Sequence, residues 1–262
     1  MKRQVAVITG ASSGIGAGLA EALAARGVQV VLVARSAPRL DALAARLRQA
    51  GGVAHVLPMD LTEAGAAQKL HAAVRSLDLP VDTLINNAGT GNYGPFEAEP
   101  MERLSQTLQL NIVALAELTR LFVPELLSRK GTILNIASTA AFQPTPFMSS
   151  YGATKAFVLS FSEALWAEYR DRGLRVAAVC PGPVETPFIN AMGADVRRTS
   201  IFRNPMTIEA AVGACLKALD ASGPSSIVGS MNWLSAQMIR LSPRTFTALL
   251  SAAMLKHSGR NQ

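Results

Sequence analysis

The chain has 262 residues, 49% of them apolar, with 20 Gly, 14 Pro, 2 Cys and a formal charge of +7; residues 195–262 carry 8 basic side chains against 3 acidic ones, and no acidic residue follows Asp220. So apolar and sparingly charged a composition excludes a disordered chain, the glycine content excludes a collagen-like one, and two cysteines without a secretion signal exclude a disulfide scaffold. The bases are scattered singly and aromatic residues make up 5%, which excludes the basic stripe with interleaved stacking rings that nucleic acid requires.

Met1-Lys2-Arg3-Gln4 and the apolar run after it begin as a signal peptide does, but the run stops at Thr9-Gly10, short of a secretory core, and so predicts a first strand, Val5–Thr9. Further Val- and Ile-rich runs predict strands at Val28–Ala34, Val53–Pro58, Thr83–Asn86, Thr132–Ser138, Arg175–Cys180 and Ser225–Val228. Between them, Ala-rich amphipathic stretches predict helices at Ile15–Ala25, Ala37–Ala50, Thr62–Leu77, Met101–Leu127, Tyr151–Arg170 and Ile208–Ala221. This alternation is the pattern of an α/β fold, a Rossmann-type doubly wound parallel sheet of about seven strands with helices on both faces. Such folds run to about 250 residues as one unit, so a single domain over 1–262 is expected. Residues 187–205 form an irregular piece expected to be a substrate-side loop. Beyond the last strand, Met231–Leu241 and Thr245–His257 predict two helices broken at Ser242-Pro243, a C-terminal extension over 230–257. No apolar run nears the ~18 residues needed to span a bilayer, and Cys180 and Cys215 read as reduced packing residues, which points to the cytoplasm.

Several of these elements end in residues that carry chemistry. The first strand passes through Thr9-Gly10-Ala11-Ser12-Ser13-Gly14-Ile15-Gly16 straight into a helix, where glycines let the backbone approach a pyrophosphate and the helix N-terminus offers N–H groups to the anion. The second strand ends in Ala34-Arg35-Ser36; an acidic residue there would accept from a free ribose diol, whereas Arg35, with Ser36 and Arg39 nearby, suits a 2′-phosphate, so NADP(H) is expected ahead of NAD(H). Asn86-Asn87-Ala88-Gly89 ends the fourth strand, Ser138 the fifth, and Pro181-Gly182-Pro183-Val184-Glu185-Thr186 follows the sixth. Tyr151 and Lys155 stand four apart and share a helix face, so the ammonium can lie near the phenol or bind a nicotinamide ribose; it would stabilise phenolate and bring a pKa of ~10 toward working pH, making Tyr151 a general acid or base. Ser138, at the carboxyl end of a central strand, can orient a reacting carbonyl. His55, His71 and His257 have no spacing for a metal or triad, so no metal is expected.

Taken in this order, the glycine pattern, the Asn-Asn-Ala-Gly segment, Ser138, Tyr151-Gly152-Ala153-Thr154-Lys155 and the Pro-Gly segment resemble a classical short-chain dehydrogenase/reductase over residues 4 to about 229. The resemblance implies an oxidoreductase on CH–OH donors with Asn111, Ser138, Tyr151 and Lys155 as its catalytic set, Asn111 holding a water in a proton relay through Lys155. It also implies that Gly10, Ser12, Ser13, Gly14, Ile15 and Gly16 cradle the cofactor, that Asp60 and Leu61 contact its adenine end, and that Asn87, Ala88 and Gly89 line it. Pro181, Gly182, Val184 and Thr186 would meet the nicotinamide region. An epimerase or dehydratase on the same scaffold, or a nucleotide-sensing regulator without turnover, are the alternatives. Phe142, Pro146, Phe147 and Met148, with Tyr93, Phe188 and Ile189, suggest a moderately hydrophobic carbonyl/alcohol substrate. Many members of the family end soon after the seventh strand and use that end in a tetramer contact. Here an apolar series at helical spacing follows, from Trp233 to Leu255, which predicts packing against the subunit or a partner. By resemblance a homodimer or homotetramer is expected; the acid-free amphipathic tail also admits peripheral contact with an anionic membrane.

Overall fold

The computed structural model describes residues 4–193, 196–197 and 199–256. Seven strands, β1 (Val5–Thr9), β2 (Gln29–Ala34), β3 (Ala54–Pro58), β4 (Thr83–Asn86), β5 (Thr132–Ile136), β6 (Arg175–Cys180) and β7 (Ser225–Ile227), form one parallel sheet in the order β3-β2-β1-β4-β5-β6-β7. The helices are α1 (Gly14–Ala25), α2 (Ala37–Gln49), α3 (Ala66–Ser76), α4 (Met101–Leu108), α5 (Leu115–Ser128), α6 (Ser149–Tyr169), α7 (Pro187–Ala191), α8 (Ile208–Asp220), α9 (Ser230–Leu241) and α10 (Arg244–Leu255).

The sheet is covered on both faces, and the period-two geometry of a strand sorts its residues between them. In β1, Ala6 and Ile8 join Leu19, Leu23 and Leu40 of α1 and α2, with Val212 and Cys215 of α8 in the same layer. Val5 and Val7 point the other way, onto Leu70 of α3 and Leu118 and Phe122 of α5. This is why the strands read as unbroken apolar runs. The strand order reverses between β1 and β4, and the crevice at their carboxyl ends is where doubly wound sheets take ligands.

Below that crevice a buried polar chain ties the central elements together. Asn86 Nδ2 donates to Thr119 Oγ1 (3.1 Å) and Asn135 Oδ1 (2.9 Å), and Asn135 Nδ2 donates to Ser162 Oγ (2.9 Å). The register of β4, β5, α5 and α6 is thereby fixed by hydrogen bonds that an apolar core could not direct.

Beyond shifts of one or two residues at element ends, the structure departs from the sequence pattern as follows. The helix expected over Met101–Leu127 is interrupted by a π-helical turn, Gln109–Ala114, that separates α4 from α5. Helix α3 starts at Ala66 rather than Thr62, because Asp60 Oδ1 accepts from both Thr62 N (2.9 Å) and Thr62 Oγ1 (2.7 Å) and Gly65 takes φ +71°. Strand β5 stops at Ile136, leaving Ser138 to open a short 3-10 turn. The irregular piece expected at 187–205 contains α7 and a second short turn, Ser200–Phe202. Helix α10 ends at Leu255; the predicted end at His257 lies outside the described residues.

Candidate active site

The glycine loop after β1 has its conformation set by crowding. A Cβ at Gly10, which has φ +66°, would stand 2.7 Å from Asn87 Nδ2 and 2.9 Å from Ala88 Cα. One at Gly16 would run into the Gly10 carbonyl and the same Asn87 amide. Only glycine therefore lets α1 start this close to β4. Thr9 Oγ1 accepts from the backbone N–H of Asn87 and of Ala88 at 3.0 Å, and Asn87 Nδ2 donates to the carbonyls of Thr9 (2.9 Å) and Gly10 (3.2 Å), so the Asn-Asn-Ala-Gly segment is a brace for the loop as well as a lining. Helix α1 has no side-chain cap and no acidic residue in its first turn, which leaves its N-terminal N–H groups to an anion.

A cleft of about 520 Å³ runs from this loop to α6. At one end stand Arg35, Ser36, Arg39, Asp60 and Leu61. Arg35 is exposed and lies 3.9 Å from Asp60, too long for a hydrogen bond. At the other end are Ser138, Tyr151 and Lys155, placed by the C-terminus of β5 and two successive turns of α6. Ser138 Oγ accepts from Ala140 N at 3.1 Å, which leaves its own proton for another acceptor. Lys155 Nζ donates to the Ile136 carbonyl at 2.7 Å and sits 5.8 Å from the Tyr151 ring centre. The Tyr151 ring packs 5.5 Å from that of Phe188.

Burial dominates the proton affinities here. It pushes the Tyr151 phenol up to about 12, against a smaller lowering by a hydrogen bond with Ser138, and it pulls Lys155 down to about 8. The lowering of Tyr151 expected from Lys155 is not found: burial sets the phenol, with Ser138 lowering it and Cys180 raising it further.

Of the residues expected to hold a cofactor, Gly10, Ser12, Ser13, Gly14, Ile15, Arg35, Asp60, Leu61, Asn87, Ala88, Gly89, Pro181, Gly182, Val184 and Thr186 line the cleft, as do Tyr151 and Lys155. Thr186 folds against the glycine loop, where a Cβ at Gly14 would lie 2.9 Å from its Cγ2. Gly16 stands behind the lining, and so does Asn111, which is 1% exposed within the π-helical turn. Asn111 Oδ1 accepts from Thr90 N (2.9 Å), while Nδ2 donates to the Thr90 carbonyl (2.8 Å) and to Thr154 Oγ1 (3.0 Å), joining the loop after β4 to α6.

The apolar residues divide. Met148, Phe188 and Ile189 line the cleft, but Phe142 packs with Ala178 and Cys180, and Tyr93 and Phe147 pack against the apolar cluster of Met148, Tyr151 and Ile189 without lining the cleft themselves. Pro146 is not among the lining residues. Ile201 and Phe202, from the piece 187–205 expected on the substrate side, line it as well, and so do Gln143, Thr145 and Leu255, which the sequence pattern did not single out. Sequence reasoning also missed Gly91, where a Cβ would press to 2.9 Å on the Tyr151 ring; a glycine two residues beyond the Asn-Asn-Ala-Gly segment was the available signal.

A family model described as short chain dehydrogenase matches residues 4–197. The very-long-chain 3-oxoacyl-CoA reductase of Anas platyrhynchos is 38% identical over 188 residues, 69% of this chain and 60% of that protein. The chain spans about three fifths of the length of the first such curated relatives. Among solved structures, a short-chain dehydrogenase from Sphingobium yanoikuyae in complex with NADPH superposes with a TM-score of 0.81 at 37% identity, covering 91% of this chain and 94% of that one. The bulky-bulky ketone specific alcohol dehydrogenase from Comamonas testosteroni does so with a TM-score of 0.78 at 31% identity, covering 99% and 98%. Sheet order and cleft define a Rossmann-type doubly wound fold. The chain belongs to the short-chain dehydrogenase family.

Proposed function

We propose that the protein, acting as one catalytic unit, interconverts a carbonyl and a secondary alcohol on a moderately hydrophobic small molecule with NADP(H). The observation that carries this reading is the convergence of Ser138, Tyr151 and Lys155 at one end of a cleft whose other end presents Arg35. The glycine loop fits a dinucleotide, since the turn that brings the start of α1 to the cleft has no room for side chains at Gly10, Gly14 or Gly16, whose Cβ atoms would press on Asn87, Thr186 or the Gly10 carbonyl. NADP(H), when bound, supplies or accepts the hydride.

The chain's own residues handle position and the proton. Ser138, its oxygen already occupied by Ala140 N–H, donates to the substrate carbonyl and turns that oxygen toward Tyr151. Tyr151 gives its phenolic proton to the developing alkoxide, or takes it back in oxidation. The Lys155 ammonium favours the phenolate left behind and holds the nicotinamide ribose. Asn111 Oδ1 and Lys155 Nζ face each other across Gly89, where a Cβ would stand 3.3 and 3.6 Å from them, which supports Asn111 as the residue that positions a relay water beside Lys155. Arg35 takes the 2′-phosphate. The bound NADPH of the Sphingobium structure and the bulky-ketone activity named for the Comamonas one support both halves of the reading. A homodimer or homotetramer goes with it by family resemblance, and the free, buried Cys180 and Cys215 support a cytoplasmic setting.

A panel of aliphatic and aromatic ketones and aldehydes, followed by NADPH absorbance, tests the reading. Stoichiometric NADPH consumption is expected. Product formed with no net change in NADPH would give the site to an epimerase or dehydratase, and NADPH binding without product from any of the panel would give it to a sensor.

A further inference from the structure

Helices α9 and α10 are built inside out. On α10 the buried positions include Thr247 and Ser251, at 5% and 2% exposure, whereas Phe246, Leu249 and Leu250 are 58%, 67% and 49% exposed. On α9 the buried residue is Ala236, while Trp233, Met238 and Leu241 are 54%, 59% and 85% exposed. Nine of the thirteen exposed large apolar side chains among the described residues lie on these two consecutive helices, more than a surface facing only water carries. No described helix is long and apolar enough to cross a membrane, so whatever covers this face meets it from the side.

The charges distinguish the candidates. Arg240 and Arg244 flank the Ser242-Pro243 joint and Lys256 follows α10, all three exposed, and residues 221–262 contain no Asp or Glu. A second copy related by a twofold axis would bring this same face against itself, and the segment has no carboxylate to pair with its bases. An anionic lipid surface satisfies every group at once: Phe and Leu enter the acyl boundary, Trp233 sits at headgroup level, and the bases meet lipid phosphates. We infer that α9 and α10 dock the protein on an anionic lipid surface. Docking also brings the substrate cleft to the membrane, because Leu255, on the buried side of α10, lines the cleft and its carbonyl accepts from Tyr93 Oη at 2.5 Å.

Flotation of the full chain with vesicles of phosphatidylglycerol and phosphatidylcholine, and with phosphatidylcholine alone, tests this. The wild-type protein is expected to float with the anionic vesicles and to be released by salt. A Trp233→Ser/Leu249→Ser variant should lose most of the bound fraction, and Arg240→Gln/Arg244→Gln should lower the partition coefficient roughly fivefold per charge. All four side chains are exposed, so unchanged melting temperatures show that the fold survives. Failure of the wild type to float, or flotation of the Trp233/Leu249 variant at the wild-type level, would overturn the inference. Self-association in vesicle-free buffer that the same variant abolishes, with no vesicle binding by either protein, would assign the face to a second copy.

Discussion

Lys155 Nζ lies 5.8 Å from the centre of the Tyr151 ring, one turn along α6, and donates at 2.7 Å to the carbonyl of Ile136. Both groups are buried, which brings the lysine down to about 8 and the tyrosine up to about 12. In the protein without cofactor, Lys155 therefore loses its proton before Tyr151. A 13C NMR titration of lysine Cε resonances, with Lys155 assigned by Lys155→Met, should show one midpoint near 8, and a midpoint above 10 would contradict the burial argument. Between about 8 and the ordinary 10.5 the native state binds fewer protons than the unfolded state, so the Lys155 contribution to stability rises with pH across that window and is lost as pH falls through about 8.

Arg35 stands at the end of β2, exposed and beyond hydrogen-bond distance of Asp60. If it receives the 2′-phosphate, Arg35→Ala removes a charge-assisted contact of about 1.5–3 kcal/mol. The expected result is a loss of about tenfold or more in kcat/KM for NADPH with kcat/KM for NADH unchanged. Equal losses with both cofactors would give Arg35 a structural role instead.

Two glycines with opposite surroundings test the account of the loop. Gly16→Ala would drive a methyl group into the Gly10 carbonyl and the Asn87 amide, whereas nothing lies within 4 Å of a Cβ at Gly213 on α8. Gly16→Ala should lower the melting temperature and cofactor affinity together. Gly213→Ala should raise stability by about 0.5–1 kcal/mol, since alanine loses less backbone entropy in a helix. Thermal denaturation of both variants distinguishes the cases.

The strands, the glycine loop and the Ser, Tyr and Lys positions were legible in the sequence because each depends on local pattern. Strands covered on both faces must be apolar throughout, and the spacing of Tyr151 and Lys155 is a property of one helix. What escaped the sequence depends on contacts made far along the chain. The break at Gln109–Ala114 lies inside a continuous amphipathic pattern, and its purpose shows only when Asn111 is seen bonded to Thr90 and to Thr154, 43 residues away. Phe142 and Phe188 are equally aromatic, yet one packs with Ala178 and Cys180 and the other faces Tyr151. Leu255 could not be placed in the cleft until α10 was seen to fold back toward Tyr93.

Asn135 belongs to the buried chain from Thr119 to Ser162 and touches nothing in the cleft. Asn135→Ala leaves Asn86 and Ser162 without one partner each, which costs about 1–3 kcal/mol. Urea denaturation should show this as a lower midpoint with an unchanged slope. A midpoint equal to the wild type would mean that the chain contributes no stability.

The central claim is that the Tyr151 hydroxyl carries the proton. Tyr151→Phe keeps the buried ring, its packing on Phe188 and the space beside Gly91, and removes one oxygen. Steady-state NADPH oxidation with the best carbonyl substrate, read beside NADPH affinity by fluorescence titration, measures that oxygen alone. A fall in kcat of about 10² to 10⁴ with NADPH affinity unchanged is expected; turnover at the wild-type rate would contradict the role of the hydroxyl.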